Sequence, residues 1–598
     1  MRKLGIVGAI AAAACALALF AGCSAADTSK SNSAGEAEHP TITMNAPYRN
    51  MSQFVDLVHE KYPEINLEVI PYNGQNTTSY MRDMRGSGQM TDIYFSTVYT
   101  PGRDDDKADF LDLSSLDFTS NFAQSRLREV TYDGGVYMLP LSYNALGITY
   151  NKTLLDANGW TLPTNLTELS ELKEKVEAAG YTFCRNQLEL PGYGFQFLCN
   201  IADTGFLSTT SGLSWQQSFL RGEATVAGTP EMVENLKLLD TWREIGMLNA
   251  DGTPSSDTAT KADYVKGNTL FLVGNSNDLS SAYETTDEFR LMPYLSVDGT
   301  QNVFVLNVSR FVGLNKQLGE AGNEQKLEDA MHVMEILSTT EGIESLDPTQ
   351  NNSRLLPLKD STVGEDSYYS TILDELDAGH TANFIYSGWE SLIVPIGQKM
   401  LDFVKGTASL DDVIACFDDN QHLVTDPEKS YTTAVETIGT EDCARAIGIA
   451  FAQATNSQAA LISVNEWKYN LDAAEMNKRG VSGCLFPVPV CDQQIVSILP
   501  TGWAGKINMV TLSGARIKEL AQTGFDWYGT GDTFPYVLVT KDGSDLDDTT
   551  EYTIPVCGVT DAVASEGNQF ESDVLGLDAA RSYFSGFDTL SAQDIRWE

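Results

Sequence analysis

The chain has 598 residues, which at roughly 150 residues per domain allows about three to four domains and ample length for a buried core. Its composition, 42% hydrophobic and 20% charged, is that of a globular protein and excludes wholesale disorder. With 82 Asp and Glu against 39 Lys and Arg the net charge is -43, which repels phosphate backbones and anionic headgroups, so no nucleic-acid partner is expected. The acidity itself reads as a solvated, soluble surface; an acidic substrate would need a locally basic pocket.

The chain opens on a charged pair, Arg2 and Lys3, and then the apolar run "LGIVGAIAAAACALALF". That run is short for a membrane span, and small residues lead from it to Cys23, so residues 1–23 read as a cleaved export signal. The stretch "LFAGC" resembles the lipobox of bacterial lipoproteins, with Phe20 standing where that pattern prefers Leu. The resemblance implies that Cys23 carries diacylglycerol and that the protein meets the cell membrane through this lipid anchor alone, on its extracytoplasmic side. Residues 24–40, "SAADTSKSNSAGEAEHP", are small and polar, the composition of a flexible tether. Seven further cysteines follow: Cys184, Cys199, Cys416, Cys443, Cys484, Cys491 and Cys557. In an exported chain Cys184 with Cys199 and Cys484 with Cys491 are candidate disulfides, although an odd number cannot all pair. No pair has CxxC spacing, and most of the seven are expected to be small buried hydrophobes.

The strand patterns "TITMNA" and "INLEVIPY" flank "MSQFVDLVHEKYPE", in which Phe54, Leu57 and Val58 recur at helical spacing. "YMRDMRGSG" then leads into "TDIYFST", a third buried strand. Strand, helix and strand in repetition predict a parallel α/β sheet with a ligand at the carboxyl ends of its strands.

From Asp133 the text reads "DGGVYMLPLSYNALGITYNKTLLDANGWTLPTNLTEL". The order Gly135, Tyr137, Leu139, Pro140, then Gly147, Tyr150, Asn151, Lys152, then Gly159, Trp160, Pro163, Thr164 resembles the extracellular solute-binding proteins of bacterial ABC importers, most of all the sugar-binding branch. "YVKGNTLFLVGN", "FRLMPYL", "FVGLNK", "EDAMHVMEIL" and "GWESLIVPIGQKMLDFVKGTASLDDVIACF" continue the likeness in the family's order. For residues 41–430 it implies an α/β, bilobal periplasmic-binding-protein-like fold in which the "LP" strand crosses between lobes and the "YNK" strand opens the second. It also implies a small-molecule solute, hinge closure on that solute, and an ABC importer permease as partner. Sugars are held by aromatic faces and by polar groups on their hydroxyls. Candidates at strand ends and cleft-facing loops are Tyr72, Asn73, Ser96, Thr97, Ser142, Tyr143, Asn144, Asn275 and Trp389, with Trp215 and Phe195 ranked below them. For any single aromatic, core packing is at least as common a role.

A second likeness begins near residue 437. "TIGTEDCARAIGIAFAQATNSQAALISVNEW" reads as a helix, with Ala444, Ile447, Ile449 and Ala452 on its apolar faces, and then a strand; "QQIVSILPTGWAGKINMVTLSGARIKELAQ" and "EYTIPVCG" follow. This order resembles the C-terminal domain of bacterial 5'-nucleotidases, with Leu499, Pro500, Leu512, Ser513, Gly514, Lys518 and Glu519 at the matching places. The resemblance implies a smaller α+β domain over residues 437–598. In that family this domain holds the nucleotide while a separate metallophosphatase domain cuts it. Here "SVNEWKYN" keeps Asn465 but lacks the family's glycines and Arg, and Trp467, Trp503 and Phe570 are candidates for stacking a base. His39, His59, His332, His380 and His422 lie in neither an Asp-x-His nor a Gly-Asn-His motif, and no GxSxG, GxxxxGK[ST] or HExxH stretch occurs. No catalytic residue, metal ligand or cofactor is assigned, and a binder is favoured over an enzyme. The alternative is a nucleotide- or nucleoside-binding protein, or a nucleotidase-related hydrolase subunit acting in nucleotide salvage.

Overall fold

Periodicities of two and of 3.6 in the opening stretch fold into one strand-helix-strand unit. The computed structural model describes residues 39–48, 50–70, 77–99, 106–188, 191–252, 257–274, 279, 284–347, 355–361, 367–372, 381–383, 389–425, 429–464, 480–499, 506–526, 533–557 and 568–597. The export signal, Cys23 and all of the tether before His39 lie outside them. β1 (Thr41–Asn45) and β2 (Asn66–Ile70) are parallel neighbours joined by α1 (Ser52–Lys61). Alternation along β1 buries Ile42 and Met44, and α1 buries Phe54, Leu57 and Val58, the residues that helical spacing puts on one face. α2 (Thr77–Gly86) leads to β3 (Ile93–Ser96), which pairs with β1 on the side away from β2. The winding of the chain therefore reverses between β1 and β3, and such a reversal leaves a crevice beyond the carboxyl ends of the two strands.

β4 (Leu139–Leu146) carries the chain to Gly147, where β5 (Ile148–Asn151) starts a second sheet. A Cβ at Gly147 would sit 2.4 Å from the Met292 carbonyl oxygen, so only glycine fits between the two sheets there. β6 (Thr182–Asn186), β7 (Thr269–Val273) and β8 (Phe289–Met292) complete this sheet in the order β8-β5-β7-β6. α3 (Leu166–Ala178) and α4 (Pro191–Asp203) supply much of its core, which gathers Leu169, Phe183, Phe197 and Phe271. β9 (Phe304–Leu314) then runs back antiparallel to β4. Its Phe311–Leu314 end pairs with β3 and its Phe304–Leu306 end with β10 (Thr381–Asn383). The long helix α7, reached after α5 (Thr210–Leu220) and α6 (Leu238–Ile245), spans Glu324–Leu337 and packs Val333 and Met334 on the first core. α8 (Ile393–Val404) and α9 (Leu410–Asn420) close the second lobe. α8 crosses α4 so closely that a Cβ at Gly397 would lie 1.9 Å from the Pro191 carbonyl oxygen.

Beyond residue 430 a third core forms. α10 (Thr440–Ala454) precedes β11 (Ala459–Ser463), and α11 (Asp492–Ile498), β12 (Lys506–Ser513), α12 (Gly514–Thr523), β13 (Tyr536–Thr540), β14 (Glu551–Cys557), β15 (Asn568–Leu575) and α13 (Gly576–Phe584) follow. The five strands order as β13-β11-β14-β12-β15, with β11 and β14 parallel and the other pairs antiparallel. Alternation in β11 sends Ala460 and Ile462 to the face covered by α10 and α13, and Ala459 and Leu461 to the face covered by α12. Thr432–Ala434, ahead of the expected boundary at residue 437, already pairs with Pro489–Val490 and Thr589–Leu590. Ser513 caps α12, its hydroxyl accepting from the Arg516 amide at 3.3 Å.

This third region is seated on α2 of the first lobe, within the one compact unit that Pro40–Glu598 form. Gln494 Nε2 donates to both carboxylate oxygens of Asp83, at 3.1 and 3.0 Å, and the Phe486 ring meets Tyr80 edge-on at 5.3 Å. Phe486 is 5% exposed and counts among the first lobe's core residues. Burial raises the Asp83 carboxyl above its ordinary value, and the Gln494 bond and the adjacent Arg82 offset only part of that. A carboxyl raised on folding gives its full contribution to stability below its unfolded pKa and loses it as pH rises through the folded value. Asp83→Asn keeps an acceptor for Gln494 and removes the ionisation. It is expected to raise the thermal midpoint at pH 7 and to leave it unchanged below about pH 4, which calorimetry across that range will check.

Candidate functional site

At the reversal of winding, the ends of β1 and β3 are clamped together by one side chain. Asn45 is 1% exposed; its Oδ1 accepts from the Phe95 amide at 2.7 Å and its Nδ2 donates to the Phe95 carbonyl at 3.0 Å. Just past the clamp, Ser96 Oγ donates to the Val98 carbonyl at 2.7 Å and accepts from its amide at 3.2 Å, forming a tight turn. The Thr97 hydroxyl is 2.8 Å from that of Thr78, at the start of α2. Both residues thus line the exit of β3, with the Ser96 hydroxyl committed to its own loop.

The middle of the β4–β9 pair lies in the same sheet, on the side of β3 away from β1. Asn144 lies directly across from Asn307; both are half-buried, and neither side-chain amide has a hydrogen-bond partner among the described residues. The Ser142 and Ser309 hydroxyls bond to one another, and Ser309 Oγ also lies 3.2 Å from the Ser142 carbonyl. The register slips between Val308 and Arg310, a bulge that places Arg310 across from Ser142. From there the guanidinium reaches beyond β3 to the exit of β1, where Nε donates to the Pro47 carbonyl at 3.0 Å and the group stacks 4.8 Å from the centre of the Tyr48 ring. Its Nη1 donates back to the Ser309 carbonyl at 2.5 Å. Tyr48, Asn307, Ser309 and Arg310 were absent from the sequence expectations. The trace of the last three is the polar interruption "NVSR" in an otherwise apolar strand.

Several expected contacts sit elsewhere. Tyr143 alternates to the other face of β4 and is 2% exposed, so it is a packing residue rather than a neighbour of Ser142 and Asn144. Its hydroxyl donates to Glu129 at 2.9 Å, Glu129 pairs with Arg126 at 2.6 Å, and the Arg126 guanidinium covers the Tyr143 ring at 5.0 Å. Burial pushes both the Tyr143 phenol and the Glu129 carboxyl up. Trp389 is 1% exposed in a cluster with Phe219 at 5.1 Å, Phe417 at 6.0 Å, Trp215 at 6.1 Å and Phe195 at 6.3 Å, which makes all three aromatic candidates of this lobe core residues. Tyr72, Asn73, Asn275, Asn465, Trp467 and Trp503 lie outside the described residues. Phe570 is 51% exposed on β15 at the edge of the third sheet. The two candidate disulfides are not formed. Cys184 and Cys199 serve as small apolar groups in the second core, and burial pushes the Cys484 thiol up to about 12. No three His, Cys, Asp or Glu side chains among the described residues form a group that could hold a metal ion, and no described helix is long and apolar enough to cross a membrane.

With this geometry in hand, residues 54–344 match the family of bacterial extracellular solute-binding proteins. Among solved structures, the putative binding protein MsmE of Bacillus subtilis subsp. subtilis str. 168, in an open conformation, is 11% identical with a TM-score of 0.54, over 65% of this chain and 98% of that one. RafE of Streptococcus pneumoniae in its apo form is 15% identical with a TM-score of 0.52, over 66% and 100%. The bacterial solute receptor AcbH, described as having an exclusive preference for β-D-galactopyranose, is 12% identical with a TM-score of 0.50, over 64% and 99%. No curated protein matches the chain. The two-lobed α/β region therefore has the fold of an extracellular solute-binding protein, and the crevice between β1, β3 and the β4–β9 pair is its candidate binding site.

Tyr143→Phe removes one hydrogen bond from the buried Arg126–Glu129–Tyr143 group. It is expected to lower the unfolding free energy by about 1 to 3 kcal/mol, as measured by urea denaturation.

Proposed function

We propose that this protein is the extracytoplasmic solute-binding component of an ABC importer and that it captures a small carbohydrate. Diacylglyceryl Cys23 holds it to the cell membrane, residues 24–40 give it reach, residues 41–430 bind the solute, and a permease receives it. Residues 437–598 form an appended domain like the substrate domain of 5'-nucleotidases, without the metallophosphatase half.

One observation carries the reading: Asn144 and Asn307, whose amides have no partner among the described residues, lie across from one another where the two lobes share strands. Polar groups there touch a solute from the hinge itself, and hinge closure brings both lobes onto it. The carbohydrate class is supported by the preference reported for AcbH. The nucleotidase likeness of the third region is supported by the order α10, β11, α11, β12, α12 and by the Ser513 cap, which belongs to a strand-to-helix turn and leaves that hydroxyl a scaffolding role.

Thermal-shift screening of the mature chain against sugars, nucleosides and nucleotides tests the reading. A cognate sugar at 100 times its Kd is expected to add about 2.7 kcal/mol. Asn144→Ala is expected to weaken that sugar about tenfold, with little change in the midpoint of the unliganded protein. Metal-dependent phosphate release from a nucleotide would sink the proposal.

A further inference from the structure

The charge of this protein makes one residue of the crevice stand out. Among the lobes' described arginines, Arg82 pairs with Asp83, Arg85 with Asp106 and Asp109, Arg126 with Glu129, Arg185 with Asp263, Arg221 with Glu223, Arg243 with Asp240 and Arg290 with Glu288. Two have no carboxylate partner among the described residues: Arg128, which is exposed, and Arg310, which is half-buried. In a chain of net charge -43 acidic groups are abundant, so an arginine withdrawn from solvent without one is conspicuous.

Nor is Arg310 a loose surface side chain. It is half-buried, two neutral carbonyls take its Nε and one Nη1 hydrogen, and Tyr48 covers a face of the guanidinium. Carbonyls and a ring orient the fork without neutralising it, and its remaining N–H groups are used by no described residue. A guanidinium presented in this way is matched geometrically by a carboxylate or a phosphate, whose two oxygens accept parallel N–H bonds. Its position, at the carboxyl ends of β1 and β3 where the winding reverses, is where open α/β sheets bind ligands. It is also a locally positive spot in a protein whose overall field repels anions.

We infer that the solute of this crevice carries an oxyanion, a carboxylate or a phosphate, on a hydroxylated body, and that Arg310 selects it while Asn144 and Asn307 meet the hydroxyls. The inference rests on the solute-binding reading above and narrows it to acidic sugars.

The test is calorimetric titration of the mature chain with matched sets of neutral hexoses, the corresponding hexuronates and the corresponding hexose 6-phosphates. An acidic member is expected to bind at least about tenfold more tightly than its neutral counterpart, and whether it is the uronate or the phosphate identifies the oxyanion. Its affinity is expected to fall with added salt while that of neutral sugars does not. Arg310→Gln is expected to abolish the preference, and Arg310→Lys, which keeps the charge but loses the fork, to retain part of it. Circular dichroism of each variant controls for folding, and the salt dependence of the parent protein needs no variant at all. If neutral hexoses bind as tightly as the acids, or Arg310→Gln keeps the preference, the oxyanion inference is overturned and the solute-binding reading survives. Should the parent bind no member of any set, both are overturned.

Discussion

Both lobes of this protein are built on the same two strands. β4 and β9 give Leu139, Leu141, Phe311 and Val312 to the first core, and Leu146 and Val305 to the second. Each end of the pair is anchored by apolar burial, so the register between the strands is held from both sides. The middle belongs to neither core, and there the chain can carry Ser142, Asn144, Asn307, Ser309 and Arg310 without burying unpaired polar groups. The bulge at Ser309 lets Arg310 break the alternation and lean over the exit of β1. Polar chemistry at the hinge is thus a consequence of where the two cores stop. Beneath it, on the opposite face of β4, Tyr143 and the Arg126–Glu129 pair brace the same stretch of strand, so the polar face rests on a buried ionic support.

Much of this was legible from residue pattern, and the reasons are local. Phe54, Leu57 and Val58 specify a helix by spacing alone, "LP" and "YNK" mark the strands on either side of Gly147, and the Ser513–Gly514 turn caps a helix as its residue types require. What escaped notice depends on contacts distant in sequence. Three consecutive strand residues cannot all face one solute, yet which of Ser142, Tyr143 and Asn144 turns away is decided by Glu129 and Leu355 rather than by β4 itself. Trp389 has the composition of a sugar platform, but Phe219, Phe417 and Trp215, drawn from two other helices, enclose it. Arg310 is silent in the text because a bulge, invisible to periodicity, gives it its direction. The cysteines were misjudged as pairs for a related reason: Cys184 on β6 and Cys199 on α4 are each buried as apolar filler, and spacing in the chain does not report that.

The seating of the third region on α2 has a further consequence for how this molecule can engage others. The chain leaves the second lobe at the helix His422–Thr425 and enters its next sheet at Thr432, yet Gln494 on Asp83 and Phe486 on Tyr80 tie it to the first lobe. The lobes are consequently joined twice, once through the shared strands and once through the third region, which follows the second lobe in sequence and packs on α2 of the first. The first lobe and the third region thus meet as one packed body at α2. The part of α2 that carries Tyr80 and Asp83 is therefore already covered from within the chain.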